Sequence, residues 1–153
     1  MNDTPPKPVS AAELRQRIAE MEAERMAELM RKRARADTAM DDFVKHFMHD
    51  EISEDEANEI RASVRHAAER GEMEVMAMRF PSRLCPDHGR AINNAEDGWV
   101  ETLPGKARQL YEVWKERGQP LGYRLRATIV NFPDDLPGDV GLFISWAPTD
   151  RGV

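Results

Sequence analysis

Apolar positions along the chain change their spacing as the chain proceeds. From residue 10 to about residue 36 there is neither glycine nor proline, and Leu14, Ile18 and Met21 recur at i, i+4, i+7. That is the repeat of one helix face. The stripe meets Arg25 before it resumes at Leu29, while Met26 and Met30 start a second, offset stripe. Two interrupted stripes fall short of the three or four sustained heptads of a coiled coil. Ser10 and Glu13 make a capping box at the start. The Ala, Glu, Arg, Leu and Met that follow are strong helix formers. A long polar helix over 10–38 is therefore expected, after a proline-rich disordered tail over 1–9. A polar helix of that length is marginal alone; it reads either as a long exposed helix held by propensity and one contact face or as an oligomerisation or partner-binding arm.

Residues 39–71 read as a helical hairpin. Phe43, Val44, Phe47 and Met48 share a face in its first arm, over 39–50. Asp50-Glu51-Ile52 forms the turn, and Ser53 with Glu56 is a second capping box. Ala57, Ile60, Val64 and Ala67 line the second arm, which stops at Arg70-Gly71.

From Glu72 the period shortens toward two. Met73, Val75, Met76, Met78 and Phe80 read as a strand ending at Pro81. A long connection over 81–101 carries the turn residues Asp87-His88-Gly89 and Asn93-Asn94. Pro104 opens a helix that Gly118 stops, with Ala107, Leu110, Tyr111 and Trp114 facing inward and Trp114 buried. Tyr123, Leu125, Ala127 and Ile129, then Val140, Leu142, Ile144 and Trp146, alternate as two strands. Across a Pro/Asp/Gly loop they pair most simply as an antiparallel hairpin. The expected fold is α+β: a long helix and an αα-hairpin, then a βαββ unit with a three-stranded sheet and one covering helix. Residues 72–148 form its small α+β core and 149–153 a tail.

Charge sharpens this division. Residues 41–75 hold 11 acidic and 4 basic groups, whereas 1–40 and 76–153 are close to neutral. A nucleic-acid binder shows the opposite, a basic patch or stripe, so nucleic acid is not an expected partner. The basic grouping Arg79, Arg83, Arg90, Arg124 and Arg126 is expected to meet the protein's own acidic stretch. Seven of the ten aromatic residues follow residue 98, and all methionines but Met1 lie between Met21 and Met78. Rigid rings specify a core and methionine fills gaps adaptably, so the later half is expected to nucleate the fold. No apolar run approaches the roughly 18 residues of a membrane span, and no membrane partner is expected. The opening residues lack the apolar stretch of a secretory signal. The single cysteine suits a reducing cytoplasm.

Candidate chemistry is sparse. His46 and His49 at i, i+3, with Cys85 and His88 across a turn, have the donor types of a tetrahedral zinc site. Surface histidines beside a turn are the commoner outcome. Cys85 with His88 is the candidate nucleophile and base, and Arg83 and Arg90 would favour a thiolate. A free cysteine at a strand end is more often a small buried hydrophobe. Arg83, Asp87, Arg90, Asn93 and Asn94 are candidate ligand contacts in a pocket between the 81–101 loop and the sheet. Leu103-Pro104-Gly105-Lys106 has too little glycine to cradle a nucleotide. No cofactor is expected. The leading reading is a non-catalytic protein–protein interaction or oligomeric adaptor protein in the cytoplasm, its partner itself or another protein. The alternative is a small enzyme or ligand-binding domain using the 81–101 loop.

Overall fold

The computed structural model describes residue 3 and residues 5–148, so the expected tail over 149–153 lies outside the described residues. Residues 5–9 carry no helix or strand and are exposed. Two units, Met1–Val44 and Lys45–Val153, are internally compact.

The first helix, α1, is Ala11–His49, about 58 Å long at 1.5 Å per residue. The break expected at 37–38, between a long helix and a hairpin arm, does not occur. Asp37-Thr38 is a poor helix pair, yet the Thr38 hydroxyl donates to the Ala34 carbonyl at 3.0 Å and the turn stays helical. The three expected N-terminal helices are therefore two. At the start, Ser10 Oγ accepts from the Glu13 amide at 3.1 Å.

Helix α2, Glu54–Glu69, is capped as expected. Ser53 Oγ accepts from the Glu56 amide at 3.1 Å, and Glu56 accepts back from the Ser53 amide. At its other end Gly71 lies at φ +80. The Gly71 amide bonds to the Ala68 carbonyl and the Glu72 amide to the Ala67 carbonyl, the Schellman pattern that a left-handed glycine permits.

Strand β1 is Glu74–Pro81, β2 Arg124–Ile129 and β3 Asp139–Ser145. The order is β1-β3-β2, with β3 antiparallel to both neighbours. The expected β2–β3 hairpin is present, and β1 and β2 are mutually parallel on either side of β3. A bulge between Met76 and Met78 adds Ala77 to β1 and reverses its alternation. Met76, before the bulge, is 40% exposed, while Phe80, after it, is 1% exposed.

Between β1 and β2 lie the short helix α3, Arg90–Asn93, and helix α4, Gly105–Val113. Pro104 caps α4 rather than opening its first turn. Gly105 is at φ +47, and a Cβ there would come within 2.9 Å of the Met48 Cα. Only glycine lets α4 start this close to the end of α1. The helical path does not stop at Gly118. It continues through a π turn, Trp114–Gly118, and a 3₁₀ turn, Gln119–Leu121, to Gly122 at φ +93.

The core joins Phe47, Phe80, Leu110, Leu125, Ile129, Val140 and Leu142. Phe47 and Phe80 stack at 5.0 Å between ring centroids. One ion pair ties α2 to α4: Lys106 Nζ lies 2.6 Å from Glu56 Oε1, and Lys106 is 9% exposed. A lysine this buried needs such a partner.

Candidate functional site

The residues nominated by sequence do not assemble. Cys85 is buried at 2% exposure, and burial, with the Asp87 charge second, pushes its thiol up from 9.0 to about 11. A nucleophile requires the opposite shift. His88 is exposed, at φ 56 in the turn after Cys85. Asp87 holds the loop. Its carboxylate accepts from the Gly89 amide at 3.0 Å and the Ala91 amide at 2.8 Å. Burial works against that charge, and the backbone amides with Arg90 more than offset it, leaving the Asp87 pKa below its usual value. Arg83, Arg90, Asn93 and Asn94 are exposed.

A cavity of about 320 Å³ does lie between this segment and the sheet. Ile92, Ala95, Glu96, Asp97 and Trp99 line it with Leu125, Arg126 and Ala127, and none of Arg83, Cys85, Asp87, His88, Arg90, Asn93 and Asn94 is in that lining. His46 and His49 are exposed in the last turn of α1, and His46 Nδ1 bonds to the Asp50 carboxylate. That hydrogen bond is the main reason the Asp50 pKa is lowered. Among the described residues no three His, Cys, Asp or Glu side chains are grouped to hold a metal, so His46, His49, Cys85 and His88 do not form the tetrahedral set their types suggest. The basic grouping is partly neutralised within the protein. Arg126 pairs with Glu74 through contacts of 2.6 and 2.8 Å, and Arg79 with Asp139 at 2.8 Å. Glu74 belongs to the acidic stretch but stands on β1, not on a helix.

The feature sequence reasoning missed is a groove of about 750 Å³ between α2 and α4. Ala57, Ile60, Val64 and Ala68 come from α2; Leu110, Val113 and Trp114 come from α4 and the π turn; Tyr123 and Ile144 close it from the sheet side. The α2 residues recur at helical spacing, so one stripe of α2 forms a wall for three turns, about 16 Å. Trp114, expected in the core, is half-buried on the opposite wall. It opens the π turn and packs against the buried core cluster, and its Nε1 donates to the Tyr123 carbonyl at 2.9 Å.

Three arginines border this apolar surface: Arg61, Arg65 and Arg117. Arg61 bonds to Asn58 at 2.6 Å and approaches Glu54 at 3.7 Å. Arg65 and Arg117 make no ion pair or side-chain hydrogen bond among the described residues. The apolar stripe of α2 was legible in sequence, but its reading as core was not selective. Part of it packs on the sheet, and part lines the open groove. No described helix is long and apolar enough to cross a membrane. Comparison with protein-family models, with curated proteins and with solved structures finds no match to the chain.

Proposed function

We propose that this chain is a non-catalytic protein–protein interaction module whose α2–α4 groove receives an amphipathic helix bearing carboxylates. The observation that carries the reading is the groove itself: an apolar wall three helical turns long with Arg65 and Arg117, unpaired among the described residues, on its border. A helix laid in such a groove buries side chains at i, i+3 or i+4 and i+7. Acidic residues on its flanks would complement the arginines, which sets orientation and specificity. The single cysteine, buried and held as a thiol, fits a cytoplasmic setting. The alternative of an enzyme at 81–101 has less behind it, since the Cys85 thiol is pushed away from ionisation and His88 points to solvent exposure rather than a site.

The test uses two synthetic helical peptides with the same leucine stripe, one flanked by glutamates and one by lysines, read by fluorescence anisotropy. The glutamate peptide should bind at least about tenfold more tightly. Val64→Glu should abolish binding, and Arg65→Glu with Arg117→Glu should reverse the preference. Equal affinity for both peptides, or binding indifferent to Val64→Glu, would overturn the reading.

A further inference from the structure

Helix α1 leaves large apolar side chains in water: Leu14 is 48% exposed, Ile18 54%, Leu29 61% and Met40 42%. Ile18, Leu29 and Met40 are each 11 residues apart. Eleven residues are just over three helical turns, so the three fall on one nearly straight line, with Leu14 at its edge. Heptad spacing hides this line, because steps of seven from Ile18 run into Arg25 and Lys32.

Charges on the same stretch are segregated. Residues 18–28 carry Glu20, Glu22, Glu24 and Glu28 against Arg25, a net of -3. Residues 29–36 carry Arg31, Lys32, Arg33 and Arg35, a net of +4. Glu28 is satisfied locally, 2.7 Å from Arg31 and 3.6 Å from Arg35. Glu22, Glu24, Lys32 and Arg33 make no ion pair among the described residues.

These two patterns fix how a second copy would lie. Paired helices sit about 8–10 Å apart, within a Debye length of about 8 Å to 10 Å at ordinary salt. A parallel pair in register sets the negative block on the negative block and the positive on the positive. An antiparallel pair centred on Leu29 sets residues 18–28 against 30–40 of the other copy. It also matches the apolar line to itself: Ile18 meets Met40, and Leu29 meets Leu29 on the two-fold axis. We propose that α1 pairs with α1 of a second copy of this chain, antiparallel and in this register. The 11-residue spacing calls for a nearly straight, slightly right-handed pair rather than a left-handed supercoil. The pairing is independent of the α2–α4 groove.

Disulfide trapping in the full chain tests it, because the buried Cys85 is a poor competitor for oxidation. Leu29→Cys should form a covalent dimer by itself under mild oxidation. Ile18→Cys and Met40→Cys should each form no covalent dimer alone and should link when mixed. Ala27→Cys, nearly opposite Leu29 on the helix, should not link. Light scattering of the unmodified chain should show a dimer whose dissociation constant rises severalfold as salt is raised. Self-linking of Ile18→Cys and of Met40→Cys would overturn the orientation while leaving self-association in place. Monomeric mass with no linking, or linking of Ala27→Cys as efficient as that of Leu29→Cys, would overturn the pairing altogether. Far-ultraviolet circular dichroism of each variant confirms that α1 is intact when the linking is scored.

Discussion

The two units of this chain treat apolar side chains in opposite ways. Over residues 45–148, Phe47, Phe80, Val140 and Leu142 are at most 3% exposed, whereas Leu14, Ile18, Leu29 and Met30 on α1 are 48–63% exposed. The contrast follows composition only in part: residues 1–44 hold two leucines, one isoleucine and one aromatic residue, and the other nine aromatics lie in the later unit. It arises because a sheet with helices encloses volume, while a lone helix has only a surface. The lesson is that Leu14, Ile18, Leu29 and Met30 gain little from burial until something covers them. The largest expected effect tests that contrast directly. Phe80→Ala should cost about 3–5 kcal/mol and lower the melting temperature of the sheet-containing unit by roughly 10–20 °C. Leu29→Ala should leave that melting transition in place. A comparable loss from Leu29→Ala in dilute solution would erase the distinction between the units.

The Glu56–Lys106 pair offers a second, smaller test of how well the 45–148 unit encloses polar groups. Glu56→Gln leaves the buried Lys106 without its carboxylate and should cost about 1–3 kcal/mol, the low end applying because Glu56 itself is 39% exposed. Its pKa is lowered mainly by the Lys106 hydrogen bond, against burial, with the Ser53 backbone and side-chain bonds adding to the effect. A carboxyl lowered in the folded state contributes stability in full above its ordinary pKa of 4.5, and that contribution disappears as pH falls through the folded value. Urea titrations at pH 7 and pH 3 should therefore converge for the wild type and Glu56→Gln at the lower pH. A constant gap between them would show that the pair's charge is not what matters.

Much of the fold was legible because its signals are local. Ser53 and Glu56 lie three residues apart, Gly71 follows its helix directly, and the alternation over 123–130 needs only its own neighbours. What sequence did not show depends on partners far along the chain or on small backbone choices. The Lys106–Glu56 pair spans 50 positions. The bulge at Ala77 inverts the faces of β1, and no composition rule marks it. Trp114 packs against the core cluster and also lines the groove, so an inward-facing position did not separate the two. Histidine, cysteine and arginine in 81–101 look like chemistry, while a groove made of alanine, isoleucine and valine from two helices looks like core. Trp114→Phe measures the groove role. It removes the bond to the Tyr123 carbonyl, should cost about 1 kcal/mol, and should weaken peptide binding at the groove. An unchanged groove affinity together with a loss of 3 kcal/mol or more would leave Trp114 a core residue only.

The finest test of burial in the 45–148 unit is the Cys85 thiol. At 2% exposure it should react with a thiol-specific disulfide reagent far more slowly in the native protein than in 6 M urea, where the same thiol is free. Its pKa carries the sign of a second effect. Burial first, and the Asp87 charge second, raise it from 9.0 to about 11. The folded state thus keeps a proton that the unfolded chain loses first. The contribution is complete below pH 9 and is lost as pH rises toward 11. Alkaline denaturation of the wild type should accordingly begin earlier than that of Cys85→Ala, once each curve is referenced to its own stability at pH 7. The difference should vanish below pH 8, where neither state ionises the thiol. If native Cys85 reacts as fast as the unfolded thiol, or if both proteins lose stability in parallel above pH 9, the segment opens readily. The 45–148 unit would then be less enclosed around Cys85 than its buried core implies, and the contrast with α1 would narrow at that point.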